Sequence, residues 1–414
     1  MSVFCCFSKL FMREQAEKIV PVETETPVFP LLDLPIIVTR EVIKLLDPID
    51  FISTSLASKT TNHICKSIHT AKKLPVSINM NVAVRDKNAE IKMSIEESPN
   101  VLWVFHFTQD NHVKEREVMN DIYILMWAES DKLNKKELFK YGDVIYESTR
   151  TTRKVRAIEL FTSDVLTAVK QWIDYLMELF RIKLETLFIG SKVNKANLDK
   201  VLSLFNENLP PEDFIFASYR KNDDFYPMIL DKQNATKNLT LRLNAFEEFH
   251  YDLSRFEYDS LEIKHACWVK FSQLYDLKCK SIALRCTKFE RNDLKELIRK
   301  WRAGWTPKWE SLYIKFWSFV NVFECVEGDY DIIATRQRNE INLESQIQLY
   351  RFQLGYVCSP KKMIMLYGFH IVRENRDVAS ILMVDDEMAM FYVQKMDDDL
   401  LEINLHADMF ERKQ

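Results

Sequence analysis

Seven short runs with the in-and-out alternation of a half-buried strand recur between residues 154 and 316. They read "RAIELF", "LETLFI", "DFIFAS", "NLTLRL", "SLEIKH", "SIALRC" and "ESLYIKF", and Ile158, Leu187, Ile215, Leu239, Leu261, Ile282 and Leu312 mark them. Successive markers lie 21 to 30 residues apart, which fits one strand and one return helix per step. The return helices are plainest where "SDVLTAVKQWIDYLMELF" puts Val165, Val169, Trp172, Ile173, Leu176 and Phe180 on one face behind a Ser163 cap. "RNDLKELIRKW" repeats that pattern.

The interval lies in the range of leucine-rich repeats, although the repeat asparagine is matched only by Asn244. The expected fold class is therefore α/β, with an irregular leucine-rich-repeat-like strand–helix array over residues 151–327; an ordinary α/β layer is the competing arrangement. After Glu327 the rhythm changes. "YGFHIVRENRDVASILMVDDEMAMFYVQKM" reads as a β-meander with a turn near Asn375, so residues 328–414 are expected to form a small β-rich C-terminal segment. Residues 71–150 read as a connecting α/β region with strands at "PVSINMNV" and "VLWVFHF".

The chain has six glycines, and none are spaced as a phosphate-cradling loop requires, so nucleotide-binding enzymes are excluded. Its eight cysteines lack metal-clip spacing and follow no secretory leader, which places the protein in a reducing compartment, cytoplasmic and/or nuclear. No apolar run reaches the roughly 18 residues of a membrane helix. The formal charge of −4 is spread without a Lys/Arg block, so neither membrane nor nucleic acid is expected as partner.

No active site emerges. His106 and His112 are too far apart for one helical turn, and Cys279 and Cys286 match no zinc clip. The acidic pairs at 385–386 and triplet at 397–399 lack the alternating ligands and glycine of a calcium loop. The sequence thus predicts no catalytic residue, no metal ligand and no cofactor. Trp268, Trp301, Trp305, Trp309 and Trp317 crowd one region with Lys270, Lys300, Lys308 and Lys315, and are expected to serve the core or a protein surface rather than stack on bases.

Ahead of this lies a flexible tail, residues 1–28, ending in "PVETETPVFP". Residues 29–70 begin "FPLLDLPIIVTREVIKLLDPIDFISTSLASKTTNHI" and read as three helices. The first carries Val38, Val42, Ile43 and Leu46 on one face. Asp47 caps the second, which starts at Pro48 and carries Phe51, Ile52 and Leu56; the third, around Thr60 to Ser67, carries Ile64 and Ile68. About 40 residues bury too little to be stable alone, so a partner is expected to complete their apolar face.

This stretch resembles the F-box of the large nematode family of F-box proteins with a type 2 F-box-associated domain, in "FPLLDLP", "EVIKLL", the "DPID" break and "FISTSLASKTT". The usual acidic residue after Leu-Pro is replaced by Ile36 and Ile37, and the closing tryptophan is missing, while Lys59 fits. "ACWVKFSQLYDLKCKSIALRCTKFERNDLKELIRKWRAGWTPKWESLYIKF" and "YGFHIVRENRDVASI" are similar to the associated domain in the same order, with Asp377 and Val378 where glycine and lysine often stand. The resemblance implies an F-box that docks onto a Skp-type adaptor through Leu31, Leu34, Pro35, Val38, Val42, Ile43, Leu46, Phe51, Ile52 and Leu56. It further implies a substrate-recognition subunit of an SCF-type cullin-RING ubiquitin ligase, not an enzyme itself. A repeat-type protein-binding scaffold without ubiquitin transfer is the alternative. If the array presents its strands as a continuous sheet, Thr240, Arg242, Glu262, Lys264, Ala283, Arg285, Tyr313 and Lys315 project from one face. Of these Arg242, Lys264, Arg285, Tyr313 and Lys315 suit an acidic or phosphorylated protein substrate.

Overall fold

A computed structural model describes residues 31–71, 78–84, 88–95, 98–109, 124–129, 136–147, 152–190, 195–206, 210–218, 226–326, 328–329, 331–333, 346–354, 364–375, 377–385 and 388–394. The expected tail at 1–28 and the acidic triplet at 397–399 lie outside these residues, as does His112. The structure is mixed α/β, with helices at the N-terminus and extensive β-sheet. Two compact units share the chain: Met1–Ala217 with Ile229–Thr236, and Ser218–Met228 with Lys237–Gln414.

The first unit opens with a 3-10 turn at Leu31–Asp33 and three helices, α1 (Ile36–Lys44), α2 (Pro48–Ala57) and α3 (Lys59–Ala71). Asp47 caps α2 by accepting from the Ile49 and Asp50 N–H groups at 2.9 and 3.1 Å, and Pro48 occupies the first turn, where a missing N–H costs nothing. Ser58 and Thr61 cap α3 reciprocally, each hydroxyl accepting from the other's backbone N–H at 3.0 Å.

Its strands are β1 (Ile78–Val84), β2 (Asn88–Ile95), β3 (Ser98–Thr108), β4 (Ile124–Glu129), β5 (Lys136–Glu147), β6 (Thr152–Phe161), β7 (Thr186–Ile189) and β8 (Asp213–Ser218), whose last residue is already assigned to the second unit. Their pairing gives the order β4-β5-β6-β3-β2-β1-β7-β8, with β3–β6, β1–β7 and β7–β8 parallel and the rest antiparallel. Between β6 and β7 runs α4 (Val165–Phe180), and between β7 and β8 runs α5 (Lys195–Asn206). Trp172 of α4 lies on the sheet, 5.3 Å from the Phe105 ring and 6.4 Å from the Phe107 ring, and all three are buried. The cap of α4 is Asp164 rather than Ser163: its carboxylate accepts from the Thr167 N–H at 3.2 Å. Salt-bridge and hydrogen-bond donation from Lys200 and Thr167 hold that carboxyl below its usual range against the opposing cost of burial.

Helix α6 (Tyr226–Lys232) spans the division between the units. The second unit then lays down β9 (Asn238–Leu243), β10 (Ser260–Ile263), β11 (Ser281–Leu284), α7 (Arg291–Arg302), β12 (Ser311–Lys315), a single turn α8 (Val322–Cys325), and β13 (Asp331–Ile333), β14 (Ile347–Leu354), β15 (Ile364–Val372), β16 (Val378–Asp385) and β17 (Met388–Gln394). Strands β9 to β12 are parallel neighbours, and Leu239, Leu261, Ile282 and Leu312 stand side by side in one row, each fully buried. Leu294, Leu297, Ile298 and Trp301 form the buried face of α7. Gly304, at φ 100°, ends the helix: the Trp305 N–H reaches back to the Lys300 carbonyl at 3.1 Å, a closure that needs a left-handed residue.

Two features depart from a simple repeat. Strand β6, marked by Ile158, lies between β3 and β5 rather than beside β7, so the strand pairing cuts across an expected boundary at residue 151. The C-terminal meander pairs through β17 with β12, in the order β12-β17-β16-β15-β14-β13, and so extends the parallel strands instead of standing apart. Arg373 joins β15 to the end of α7. Its guanidinium lies 3.2 Å from the Trp301 ring centroid and donates to the Trp305 carbonyl at 2.6 Å, the Thr306 hydroxyl at 3.1 Å and the Gly304 carbonyl at 3.3 Å. Trp268, Trp301 and Trp309 are core residues, Trp305 is half-buried, and Trp317 is 68 % exposed.

Candidate functional site

The three N-terminal helices divide their apolar residues between two faces. Leu31, Ile43, Phe51 and Ile52 are buried, with Thr39 beside Ile43 on the inner wall of α1. The Thr39 hydroxyl reaches the carbonyls of Leu31 and Leu34, both at 3.2 Å, and ties the 3-10 turn onto α1. On the outside Leu32, Ile36, Ile37, Val38 and Leu45 are exposed at 50, 50, 72, 45 and 86 %. Val38, Val42 and Leu45 fall three and four apart along α1, and so share one stripe. Pro35 is exposed, while Leu34, Val42, Leu46 and Leu56 are half-buried.

Of the ten residues expected to face an adaptor, four therefore serve the helices' own core: Leu31, Ile43, Phe51 and Ile52 present almost no surface. Leu32, Ile36, Ile37 and Leu45, outside that set, are exposed instead. The signal was in the spacing, because a helix whose inner wall is Thr39 and Ile43 must turn Ile37 and Leu45 outward. Scattered exposed leucines are ordinary on a protein surface, but five large apolar residues on one short helix and its two flanks form a patch of the kind that marks an interaction site.

This patch is mounted on the sheet of its unit through α4. Phe51 of α2 stacks at 5.5 Å on Phe180, the Ser55 hydroxyl is hydrogen-bonded to the Tyr175 hydroxyl, and Lys66 of α3 pairs with Glu178 at 2.6 Å. Burial pushes the Tyr175 phenol up to about 12 and the thiol of Cys65, on the inner side of α3, to about 12, so neither ionises at neutral pH.

In the second unit, the residues expected to face a substrate are only partly accessible. Arg285 donates through Nε to Glu262 at 3.1 Å and lies 5.4 Å above the Tyr313 ring. Tyr313 and Ala283 are buried, and the Tyr313 hydroxyl is hydrogen-bonded to the Met388 sulfur. Thr240, Arg242, Lys264 and Lys315 are half-buried, and Arg242 Nε is enclosed without a hydrogen-bond partner. The face is thus more occupied by its own contacts than the sequence suggested, because β17 brings Met388 alongside β12.

Two family models match this chain. An F-box domain model matches residues 31–73, the three helices that carry the patch, and an F-box associated model matches residues 248–314, from the loop after β9 to the end of β12. No curated protein and no solved structure matches. The chain thus carries an F-box and an F-box-associated domain, a pairing that fits a substrate-recognition F-box protein of SCF type. Proteins of these families are adaptor-like substrate receptors rather than enzymes. Among the described residues no helix is long and apolar enough to cross a membrane.

Proposed function

We propose that this protein is the substrate-recognition subunit of an SCF-type cullin-RING ubiquitin ligase, working inside the cell, in cytoplasm or nucleus. The observation that carries the reading is the set of exposed apolar residues on and beside α1, 72 % at Ile37 and 86 % at Leu45, within the segment that matches the F-box. A Skp-type adaptor covers this set, with Leu32, Ile36, Val38 and the accessible parts of Leu34, Pro35, Val42, Leu46 and Leu56 around it. The buried Leu31, Ile43, Phe51 and Ile52 act by holding the helices in place.

The second unit holds the substrate, and its parallel strands act as a leucine-rich-repeat-like platform. Arg242, Lys264 and Lys315, half-buried on this face, favour an acidic segment, and Arg285 joins them on exchanging Glu262 for a substrate carboxylate. Catalysis is by proximity: the protein supplies no acid, base or nucleophile, and raises the effective concentration of a substrate lysine near a ubiquitin thioester.

Affinity purification of the full chain from cells with blocked proteasomes, combined with proximity labelling, tests both halves. Adaptor and cullin should co-purify, and an Arg242→Glu, Arg285→Glu pair should change the labelled neighbours while retaining the adaptor. Recovery of stable partners without adaptor or cullin would favour a repeat-type scaffold that transfers no ubiquitin. An unchanged neighbour list would place the substrate elsewhere.

A further inference from the structure

Between α3 and α4 the first unit has an open cavity of about 370 Å³, lined by His63, Lys66, Ser67, Met177, Glu178 and Arg181. Half of this lining comes from α4 and the residue after it, well outside the stretch that matches the F-box. The α3 side carries one sign of charge: from Lys59 to Ala71 the helix has two lysines, two histidines and no acid. Arg40 of α1 extends the same sign to the rim, with its guanidinium 3.5 Å from the Ser67 hydroxyl. Arg181 follows the last turn of α4 in left-handed conformation, φ 53°, and its side chain is exposed at the cavity. The single acid in the lining, Glu178, is paired with Lys66.

We infer that this cavity is a second docking point on the adaptor side, taking an acidic segment of the adaptor polypeptide that covers α1. The inference rests on the F-box reading above, and two observations determine the occupant. The first is charge: a groove with Lys66, Arg181 and nearby Arg40 against one carboxylate attracts Asp and Glu side chains, and long-range attraction speeds encounter as well as fixing register. The second is position. Arg40 sits one turn beyond Ile36 and Ile37 on α1 and touches Ser67 at the rim, so a chain lying on the apolar patch reaches the cavity without leaving these helices. A carboxylate suits the site better than a phosphate dianion, because Glu178 and the terminal carbonyls of α4 oppose a second negative charge.

The function of α4 is then twofold. Its inner face holds the helices to the sheet through Trp172, Tyr175 and Phe180, and its end supplies Met177, Glu178 and Arg181 to the partner. Recognition becomes bipartite: apolar on α1, electrostatic at the α3–α4 groove. Only the second part depends on salt.

The test measures binding of the purified Skp-type adaptor to the full chain at low and high salt. A Lys66→Glu, Arg181→Glu pair should weaken binding about tenfold at roughly 50 mM salt, and the difference should shrink below about twofold near 0.5 M, where charges are screened beyond a few ångström. Glu178→Lys should act in the opposite direction and tighten binding at low salt. Arg181→Gly serves as the folding control, since glycine favours the left-handed position: it should melt no lower than wild type and still bind more weakly. Loss of binding in Ile37→Glu, with all three groove variants indistinguishable from wild type, would overturn the groove while leaving the F-box reading intact. Full binding by Ile37→Glu as well would overturn both.

Discussion

Replacing Phe180 by alanine tests whether the F-box helices are a separate module or part of the first unit's core. Phe180 lies outside the F-box match, is buried to 8 % exposure, and its ring stacks on Phe51 at 5.5 Å. Removing a buried phenylalanine costs about 3–5 kcal/mol, of which the ring pair itself accounts for about 0.5–1.5 kcal/mol. A domain stable by about 5–15 kcal/mol survives this, so the variant stays folded and measurable. Hydrogen exchange provides the assay. A loss of about 3 kcal/mol speeds exchange from the globally protected amides by roughly a hundredfold, and the same factor is expected in α2 and α3 as in α4. The double-mutant cycle with Phe51→Ala should return the ring-pair energy as coupling. Unchanged protection in α2 and α3, with α4 alone loosened, would refute the idea that these helices share one cooperative core.

Three further outcomes follow from particular contacts. His370 is buried with its Nδ1 2.8 Å from the Ser380 hydroxyl, and burial lowers its pKa from 6.5 to about 4. The unfolded chain takes up the proton first, so stability is complete above pH 6.5 and about 3 kcal/mol is lost as pH falls towards 4; His370→Gln should flatten that slope in pH-dependent urea melts, and an equal slope in both proteins would be contrary evidence. Arg373→Ala removes three donated hydrogen bonds and the stacking on Trp301, and should destabilise the second unit by about 3 kcal/mol in denaturant titration. A fragment of residues 218–414 should melt cooperatively, whereas in residues 151–414 the portion before 218 should be trimmed by protease, because β6 has lost β3 and β5 and β7 has lost β1.

Much of this architecture can be read from periodicity. The row Leu239, Leu261, Ile282 and Leu312 was marked by spacing alone, and the Asp47–Pro48 start of α2 by capping chemistry. Strand order was not legible, since β1 inserts next to β7 and β17 next to β12 through pairings distant in sequence, which local patterns do not encode. Which apolar residues of the F-box helices stay exposed was half legible for a related reason. Apolarity is the same for Ile43, wholly buried, and Ile37, largely exposed, and only the packing of α1 on its neighbours decides which way each turns. On the face of β9 to β12, sequence alternation picked out Arg242 and Arg285 but not the Glu262 partner's grip or the covering of Tyr313, both products of neighbouring strands.

The most direct test of the account is the affinity of the full chain for a purified Skp-type adaptor, measured for wild type and Ile37→Glu by titration calorimetry. Ile37 is 72 % exposed, so the substitution should leave folding stability within about 0.5 kcal/mol of wild type. The account predicts a one-to-one complex for the wild-type chain and a loss of at least about 2 kcal/mol, roughly thirtyfold, for the variant, the scale of a central apolar anchor facing a buried charge. A wild-type chain that forms no complex, or a folded variant that binds as well as wild type, would contradict it.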